Sequence, residues 1–267
     1  MLPSRYFWDL TQPEIATQFR THPLVVLPAG SVEQHGPHLP TGTDTLAANV
    51  IAGRVAELMD GLVLPATPLG VTPMHMPFEG TITLTPDTYM RVVIETCAST
   101  AKHGAKYLML MNWHEGNIPS LAIAAETLHR THGMTVLTVQ ACYVAEELYG
   151  GSCNGLTHGG EIEALAVLAN RPELVHLDRI ENSSDHSHGH RMDKLRRTRS
   201  YQPVLTDIRS IAPTGWFGAP QHANADKGHR MVGDIADAIA GEAAAIFRQL
   251  DAVQGGSAEL KQLRQVG

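Results

Sequence analysis

Residues 23–44 read PLVVLPAGSVEQHGPHLPTGTD. The apolar run at the start predicts a short buried β-strand over Pro23–Ala29. The rest of the stretch carries two carboxylates and two histidines, interrupted by Gly36, Pro37 and Pro40. Because proline removes a backbone donor and fixes φ, this part is neither a regular helix nor a central strand. The stretch therefore predicts a buried strand that runs directly into a stiff loop rich in possible metal ligands.

Strand-like and helix-like segments alternate along the rest of the chain. Further strands are predicted at Gly61–Thr67, Lys106–Asn112 and Met134–Gln140, and helices at Thr43–Asp60, Thr85–Gly104, Ile118–His132, His158–Asn170 and Ala225–Leu250, with a loop-rich stretch over Arg171–Gln221. This alternation predicts an α/β fold of three layers, with a mostly parallel sheet and helices on both faces. No internal repeat or low-complexity linker is visible, so we predict a single domain over residues 1–267.

Composition excludes several classes of protein. The chain has 267 residues, is 43% hydrophobic and carries a net charge of −7, so no basic patch typical of nucleic-acid binding is expected. The sequence contains no run of 18 apolar residues that would predict a membrane span. Its three cysteines form no C-x-x-C pair, so no disulfide framework is indicated. We therefore expect a cytoplasmic protein with no nucleic-acid or membrane partner. Fifteen histidines are the one compositional sign of metal or acid–base chemistry.

Possible metal ligands follow the predicted strands, where α/β sheets bind their ligands. Glu33 and His35 are two residues apart, so both face the same side of an extended segment, and Asp44 lies at the start of the next helix. His114 follows the third strand, and residues 158–163 (HGGEIE) begin a later helix. His, Asp and Glu without Cys suit Zn²⁺, Mn²⁺ or Fe²⁺ in a hydrolytic site. More than four such ligands suggest two ions that share a carboxylate.

Four motifs together resemble the creatininase (creatinine amidohydrolase) family: LPAGSVEQHGPHLPTGTD, MNWHEGN, THGGEIEAL and GWFGAPQHANADKGHRM. The resemblance runs from about Pro23 to Leu250. It implies an α/β fold, a homo-oligomer that is commonly a hexamer, and hydrolysis of a C–N bond in a cyclic amide or related small molecule. It also implies two divalent ions as cofactors, Zn²⁺ and/or Mn²⁺, with Fe²⁺ also compatible.

The resemblance assigns roles to individual residues. Glu33 and His35 match the E-x-H ligands, one for each metal, Asp44 matches the bridging aspartate, and His114 matches the histidine of an NGH-type motif. His158 matches a histidine that assists proton transfer beside the substrate. His38 is expected to orient a ligand from behind it, because it lies in a packed, proline-rich part of the loop.

The fifth protein ligand is less directly indicated. Creatinine hydrolases have a Glu two residues after the metal-binding histidine, where this chain has Gly116, and relatives with Gly use the first Glu of an H-x-G-E-x-E motif. That makes Glu161 the expected ligand, in a helical first turn that favours a carboxylate. Glu115 is the alternative, and otherwise a proton shuttle, because it directly follows His114 and faces the other way in an extended chain. Glu163 is expected either to lie on the helix surface or to support a metal ligand without binding the metal itself.

The function that follows is a dimetal amidohydrolase. A metal-bridging hydroxide is expected to attack a ring amide or amidine carbon, while His158 or Glu115 passes the proton to the leaving nitrogen. Gly116 and Asn154 weaken the case for creatinine itself as the substrate. Two alternatives stay open: a hydrolase of a sugar-derived ring or of a peptide bond in the same fold, and a metal-binding assembly subunit without turnover. Pocket walls are expected at Thr72–Phe78, Tyr143–Asn154 and Asp185–His190, the last with His186, His188 and His190 as an active-site rim.

Overall fold

The computed structural model describes residues 2–65, 68–180, 191–192, 194–195, 197–198 and 204–254. Its centre is a four-stranded parallel sheet of order β2-β1-β3-β4. The strands are β1 (Leu24–Ala29), β2 (Leu62–Val63), β3 (Tyr107–Asn112) and β4 (Thr135–Gln140). The helices are α1 (Gln12–Thr21), α2 (Thr43–Leu58), α3 (Pro86–Ala101), α4 (Ile118–His132), α5 (Ala141–Tyr149), α6 (Glu161–Leu168) and α7 (Ala225–Gln254).

The strand register aligns the carboxyl ends of the three longer strands. Ala29 of β1 pairs with Asn112 of β3, and Asn112 pairs with Gln140 of β4. The loops that follow β1 and β3 therefore begin side by side at one edge of the sheet. This is the edge at which parallel α/β sheets bind their ligands.

Each face of the sheet is covered by its own hydrophobic core. Because side chains alternate along a strand, Val26 and Met109 face α2, α5, α6 and α7, whereas Val25 and Leu108 face α1, α3 and α4. The prediction of a three-layer α/β fold with helices on both faces of a parallel sheet is thus confirmed. The prediction of a single domain over residues 1–267 stays a prediction.

Most predicted elements are present, with a few differences. Strand β2 ends at Val63, earlier than predicted, although the N–H of Leu64 still donates to the backbone oxygen of Val26 at 2.8 Å. Helix α6 begins at Glu161 and not at His158, since Gly159 is in a left-handed conformation with φ of 72°. Helices α1 and α5 were not predicted. Within the described residues, no helix is both long and apolar enough to cross a bilayer.

Candidate metal centre

The loop after β1 brings Glu33 and His35 to the carboxyl edge of the sheet, and the first turn of α2 brings Asp44. All three side chains are buried. The Nδ1 of His35 lies 3.0 Å from the backbone oxygen of Glu33, which can only accept a hydrogen bond. Nδ1 of His35 therefore carries a proton, and Nε2, which lies 3.2 Å from Asp44 Oδ1, is the nitrogen that can bind a metal once it has lost its own proton.

His114 follows β3 and approaches the same carboxylates from the neighbouring strand. Its Nε2 donates to the backbone oxygen of Val71 at 3.1 Å, so Nδ1 is the ring nitrogen left to face the carboxylates. That Nδ1 lies 3.0 Å from Asp44 Oδ2 and 3.5 Å from Glu33 Oε1. The backbone thus fixes which nitrogen of each histidine faces the cluster, and a metal ion that displaces the proton from that nitrogen would find its lone pair correctly directed.

Asp44 lies between two sets of ligand atoms. Oδ1 faces His35, whereas Oδ2 faces His114 and accepts a hydrogen bond from Ser31 Oγ at 2.8 Å. Two groups of side chains that could each hold an ion share this residue: Glu33, Asp44 and His114 form one, and His35, Asp44 and Glu163 form the other. In each group the ligand atoms lie within 4.8 Å of one another. The N/O donor set and its spacing therefore fit a divalent metal ion.

Glu163, and not the predicted Glu161, joins this cluster. Glu163 Oε2 lies 3.6 Å from His35 Nε2 and accepts a hydrogen bond from the backbone N–H of Gly159 at 2.6 Å. Glu161 instead pairs with Lys227 of α7, with 2.7 Å between Oε1 and Nζ. Two residues along a helix differ by about 200° in direction, so only one of these carboxylates can face the sheet edge. The structure corrects the sequence analysis on which one does.

The cluster is strongly coupled electrostatically. Burial alone would lower the pKa of His35, but Asp44, Glu163 and Glu33 outweigh it and raise that pKa to about 10. In the same way, Glu33 and Asp44 raise the pKa of His114 to about 9 against the effect of burial. Burial raises the pKa of Glu163 as well, with Asp44 and Glu33 adding to the effect. The raised pKa values of the Glu163 carboxyl and of the His35 and His114 rings mark a buried site that favours added positive charge.

His158 lies over the cluster, as predicted for a group that moves protons. Its Nε2 donates to the backbone oxygen of Gln34 at 2.7 Å, and its Nδ1 lies 3.7 Å from Glu33 Oε1. Its ring packs 4.4 Å, centroid to centroid, from the rings of both His35 and His75. Burial, with His35 and His75, lowers the pKa of His158 well below the usual value, so the ring is neutral at neutral pH. His75 was predicted only as part of a pocket wall.

Glu115 lies in the pocket wall and pairs with Arg197 instead of with the metal-capable groups. Its Oε1 accepts from Arg197 Nε at 2.7 Å, and Tyr143 also hydrogen bonds to this carboxylate. Arg197 Nη1 in turn donates to the backbone oxygen of Leu156 at 2.8 Å. Arg197 is thereby held at the mouth of the site.

His38 supports the loop that leads into α6. It is fully buried, and its Nε2 lies 2.7 Å from the backbone oxygen of Gly159. The edge of its ring packs against Trp216, with 4.9 Å between the ring centroids. Gly159 is the residue whose N–H donates to Glu163, so His38 supports the loop that positions this carboxylate; its expected role in orienting a ligand stays a prediction.

A cavity of about 250 Å³ opens onto the cluster. Thr72, Met74 and His75 line it, in agreement with the predicted wall at Thr72–Phe78. The predicted wall at Tyr143–Asn154 is wrong for the described cavity, which is lined instead by Cys142 and Leu156 on either side of that stretch. The predicted rim at Asp185–His190 lies outside the described residues.

Comparison with known proteins places this site in a family. The family model for creatininase, described as creatinine amidohydrolase, matches residues 8–242. The chain belongs to the creatininase family. Among characterised relatives, it is 30% identical to the mycofactocin precursor peptide peptidase of Mycobacterium ulcerans (strain Agy99) over 81% of this chain and 83% of the relative. It is 31% identical to the creatinine amidohydrolase of Pseudomonas putida over 59% of this chain and 68% of the relative.

Three further comparisons bear on this member of the creatininase family. The chain is 25% identical to the 3-dehydro-scyllo-inosose hydrolase of Thermotoga maritima over 64% of this chain and 58% of the relative. A creatininase mutant complexed with creatine superposes with a TM-score of 0.74 at 25% identity, over 91% of this chain and 99% of the other. A manganese creatininase superposes with a TM-score of 0.71 at 26% identity, over 90% and 98%. The relatives named here are all hydrolases, although the bonds they act on differ.

Proposed function

We propose that this protein is a hydrolase that uses two divalent metal ions to cleave an amide C–N bond. The observation that carries the proposal is the position of Asp44, whose two carboxylate oxygens face two separate histidines, His35 and His114. A carboxylate that serves only one ion, or only caps a helix, has no need of this arrangement. Family membership supports hydrolysis, and the shared carboxylate supports two ions.

The residues divide into two ligand sets. Glu33, Asp44 and His114 would hold one ion, and His35, Asp44 and Glu163 the other. Both sets combine imidazole nitrogen with carboxylate oxygen, which suits Zn²⁺ or Mn²⁺, and also Fe²⁺. When bound, such ions lower the pKa of water and polarise a carbonyl group. Thr72 Oγ1 donates to Glu33 Oε2, and Ser31 Oγ donates to Asp44 Oδ2, so the ligand carboxylates are held in place from behind.

His158 is proposed as the group that moves the proton. Its Nε2–H is committed to the backbone oxygen of Gln34, so the lone pair of the neutral ring lies on Nδ1, on the side of Glu33. From this position Nδ1 takes a proton from the attacking water and returns it to the nitrogen that leaves. Glu115 is proposed to act at the mouth of the cavity through its pair with Arg197, and not as a ligand.

The size of the cavity, about 250 Å³, supports a small substrate. A cyclic amide or amidine fits this space and is our first proposal. A peptide bond is the second, because the alignment with the mycofactocin precursor peptide peptidase covers 81% of this chain, against 59% for creatinine amidohydrolase. Hydrolysis of a sugar-derived ring and metal binding without turnover remain lesser alternatives. A cytoplasmic location and a lack of nucleic-acid and membrane partners stay predictions.

The test uses purified protein stripped with chelator and reloaded with Zn²⁺ or Mn²⁺. Release of amine should be followed on creatinine, on other five- and six-membered cyclic amides, and on short peptides with free carboxyl termini. We expect turnover of one of these classes that requires metal, and little turnover by Asp44→Asn. A loaded wild-type protein that hydrolyses none of them would favour the non-catalytic alternative. Equal activity before and after stripping would reject metal dependence.

A further inference from the structure

The side chain of Gln34 lies between two histidines of the cavity wall, and the backbone determines its orientation. Oε1 accepts a hydrogen bond from the N–H of Gly36 at 3.1 Å, and Nε2 donates to the backbone oxygen of Gly215. The reversed amide would place an oxygen against a carbonyl and an NH₂ group against an N–H. Gly215 also has to be glycine here, because a Cβ would lie 2.4 Å from Gln34 Oε1.

The hydrogens around this amide can be counted. His158 Nε2 must carry a hydrogen, since it lies 2.7 Å from the backbone oxygen of Gln34, and so it cannot also accept one from the Gln34 side chain. Of the two hydrogens on Gln34 Nε2, one goes to Gly215 O, and the other is left for His75 Nδ1 at 3.0 Å. Nδ1 of His75 is therefore an acceptor, and its ring hydrogen lies on Nε2.

The two rings consequently present opposite groups to the same place. His75 Nε2 lies 3.6 Å from Glu33 Oε1, and His158 Nδ1 lies 3.7 Å from that same oxygen. His75 Nε2 offers an N–H, and His158 Nδ1 offers a lone pair. His75 is 4% exposed and lines the cavity, so its N–H is within reach of a bound molecule.

We propose that His75 is a further catalytic residue, whose Nε2–H donates a hydrogen bond to the substrate oxygen on which negative charge develops, and that Gln34 is the positioning residue that sets its tautomer. The proposal rests on the proposed function, because it assumes that an amide carbonyl is attacked at this site. His75 transfers no proton in this role. The tautomer also argues against His75 as a metal ligand, since the nitrogen that faces the cluster has no lone pair to give.

Removing one such donor from an oxyanion site typically lowers kcat by about 10²–10³-fold. His75→Phe should therefore lower kcat about a hundredfold on whichever substrate of the panel is hydrolysed, with KM changed far less. His75→Gln, whose amide N–H can occupy the place of the ring N–H, should recover at least about tenfold of that loss. Both variants should bind as much Zn²⁺ as the wild type. His129→Gln is the matched control, because among the described residues the side chain of His129 hydrogen bonds to the backbone oxygen of Met134, at 2.9 Å, and lies outside the described lining of the cavity.

Two readouts are independent of turnover. In metal-free protein labelled with ¹⁵N-histidine, the signal that disappears in His75→Gln should show a proton on Nε2 and none on Nδ1, and Gln34→Leu should change that signal. In Zn²⁺-loaded protein, inorganic phosphate serves as a tetrahedral oxyanion, and calorimetry should show about tenfold weaker binding by His75→Phe. A proton on Nδ1, loss of Zn²⁺ in His75→Phe, equal phosphate affinity, or a His75→Gln no better than His75→Phe would each overturn the inference. Absence of turnover by the wild type would instead count against the proposed function.

Discussion

Exchanging either carboxylate at the start of α6 for an amide should separate metal binding from stability. Glu163→Gln should remove an ion without weakening the fold, whereas Glu161→Gln should weaken the fold and keep both ions. The two residues belong to one helical turn and are both buried, so each variant is the matched control for the other. They differ in their partners, which are His35 for Glu163 and Lys227 for Glu161.

The size of the first effect follows from the ligand set. Each proposed ion has three protein ligands, and an amide oxygen carries no charge. Loss of a group that merely supports a ligand already costs about 10–100-fold in metal affinity, so loss of Glu163 itself should cost more than about 100-fold. Without metal, Glu163→Gln also removes a buried carboxyl whose pKa is raised by burial and by Asp44 and Glu33, and the amide oxygen can still accept from Gly159 N–H. The melting temperature in chelator should therefore stay the same or rise.

The second effect comes from a buried ion pair. Glu161 is 3% exposed and Lys227 is 22% exposed at the side chain, and their atoms lie 2.7 Å apart. An amide leaves the ammonium with a weaker partner, which should cost about 1–3 kcal/mol. For a protein of this size that corresponds to a fall in Tm of about 2–4 °C for each kcal/mol.

The assay is metal content by mass spectrometry after dialysis against Zn²⁺, together with thermal unfolding in the presence of chelator. Glu163→Gln should then bind less metal at a nearly unchanged or higher melting temperature in chelator, whereas Glu161→Gln should bind the normal amount of metal and melt at a lower temperature. Loss of an ion from Glu161→Gln, with both ions kept by Glu163→Gln, would refute the assignment and restore the prediction made from the sequence. Loss of metal from both variants would mean that α6 as a whole had moved.

The remaining predictions concern the shared ligand, the mouth of the cavity, protonation and assembly. Asp44→Asn should lower the occupancy of both ions together, and normal metal content in that variant would contradict a shared carboxylate. Glu115→Gln should keep both ions and slow turnover through its weakened pair with Arg197; loss of metal would instead make Glu115 a ligand. Burial lowers the pKa of His35 and His114, but the surrounding carboxylates raise the values to about 10 and about 9, so metal-free protein at neutral pH holds protons that Zn²⁺ must displace. Affinity for Zn²⁺ should therefore rise with pH, with roughly two protons released from these rings, and binding without proton release in calorimetry across several buffers would contradict this. Finally, we predict a homo-oligomer, by resemblance a hexamer, which a monomeric mass by light scattering at micromolar concentration would contradict.

The sequence alone determined the layers of the fold and most of the residues that meet at the site. Strand β1 and the loop after it could be predicted because the signals are local in the sequence: an apolar run favours a buried strand, and prolines and glycines interrupt regular structure where they occur. The parallel order follows from strands that alternate with helices, and it places the loops after β1 and β3 at one edge. Glu33, His35, Asp44 and His114 could therefore be predicted together from local signals and topology.

Only the tertiary structure decided which carboxylate of α6 faces the site and how the hydrogens are arranged. All eight residues of α6 are buried, so its sequence shows no polar face from which the rotation of the helix could be predicted. That rotation is set by packing against α2 and α7, where Lys227 accommodates Glu161. The tautomer of His75 depends on the side-chain amide of Gln34, 41 positions away, and that of His158 depends on the backbone oxygen of Gln34, 124 positions away. The rotation of α6 and the histidine tautomers depend on contacts between segments that are distant in the sequence, so a local residue pattern cannot predict them.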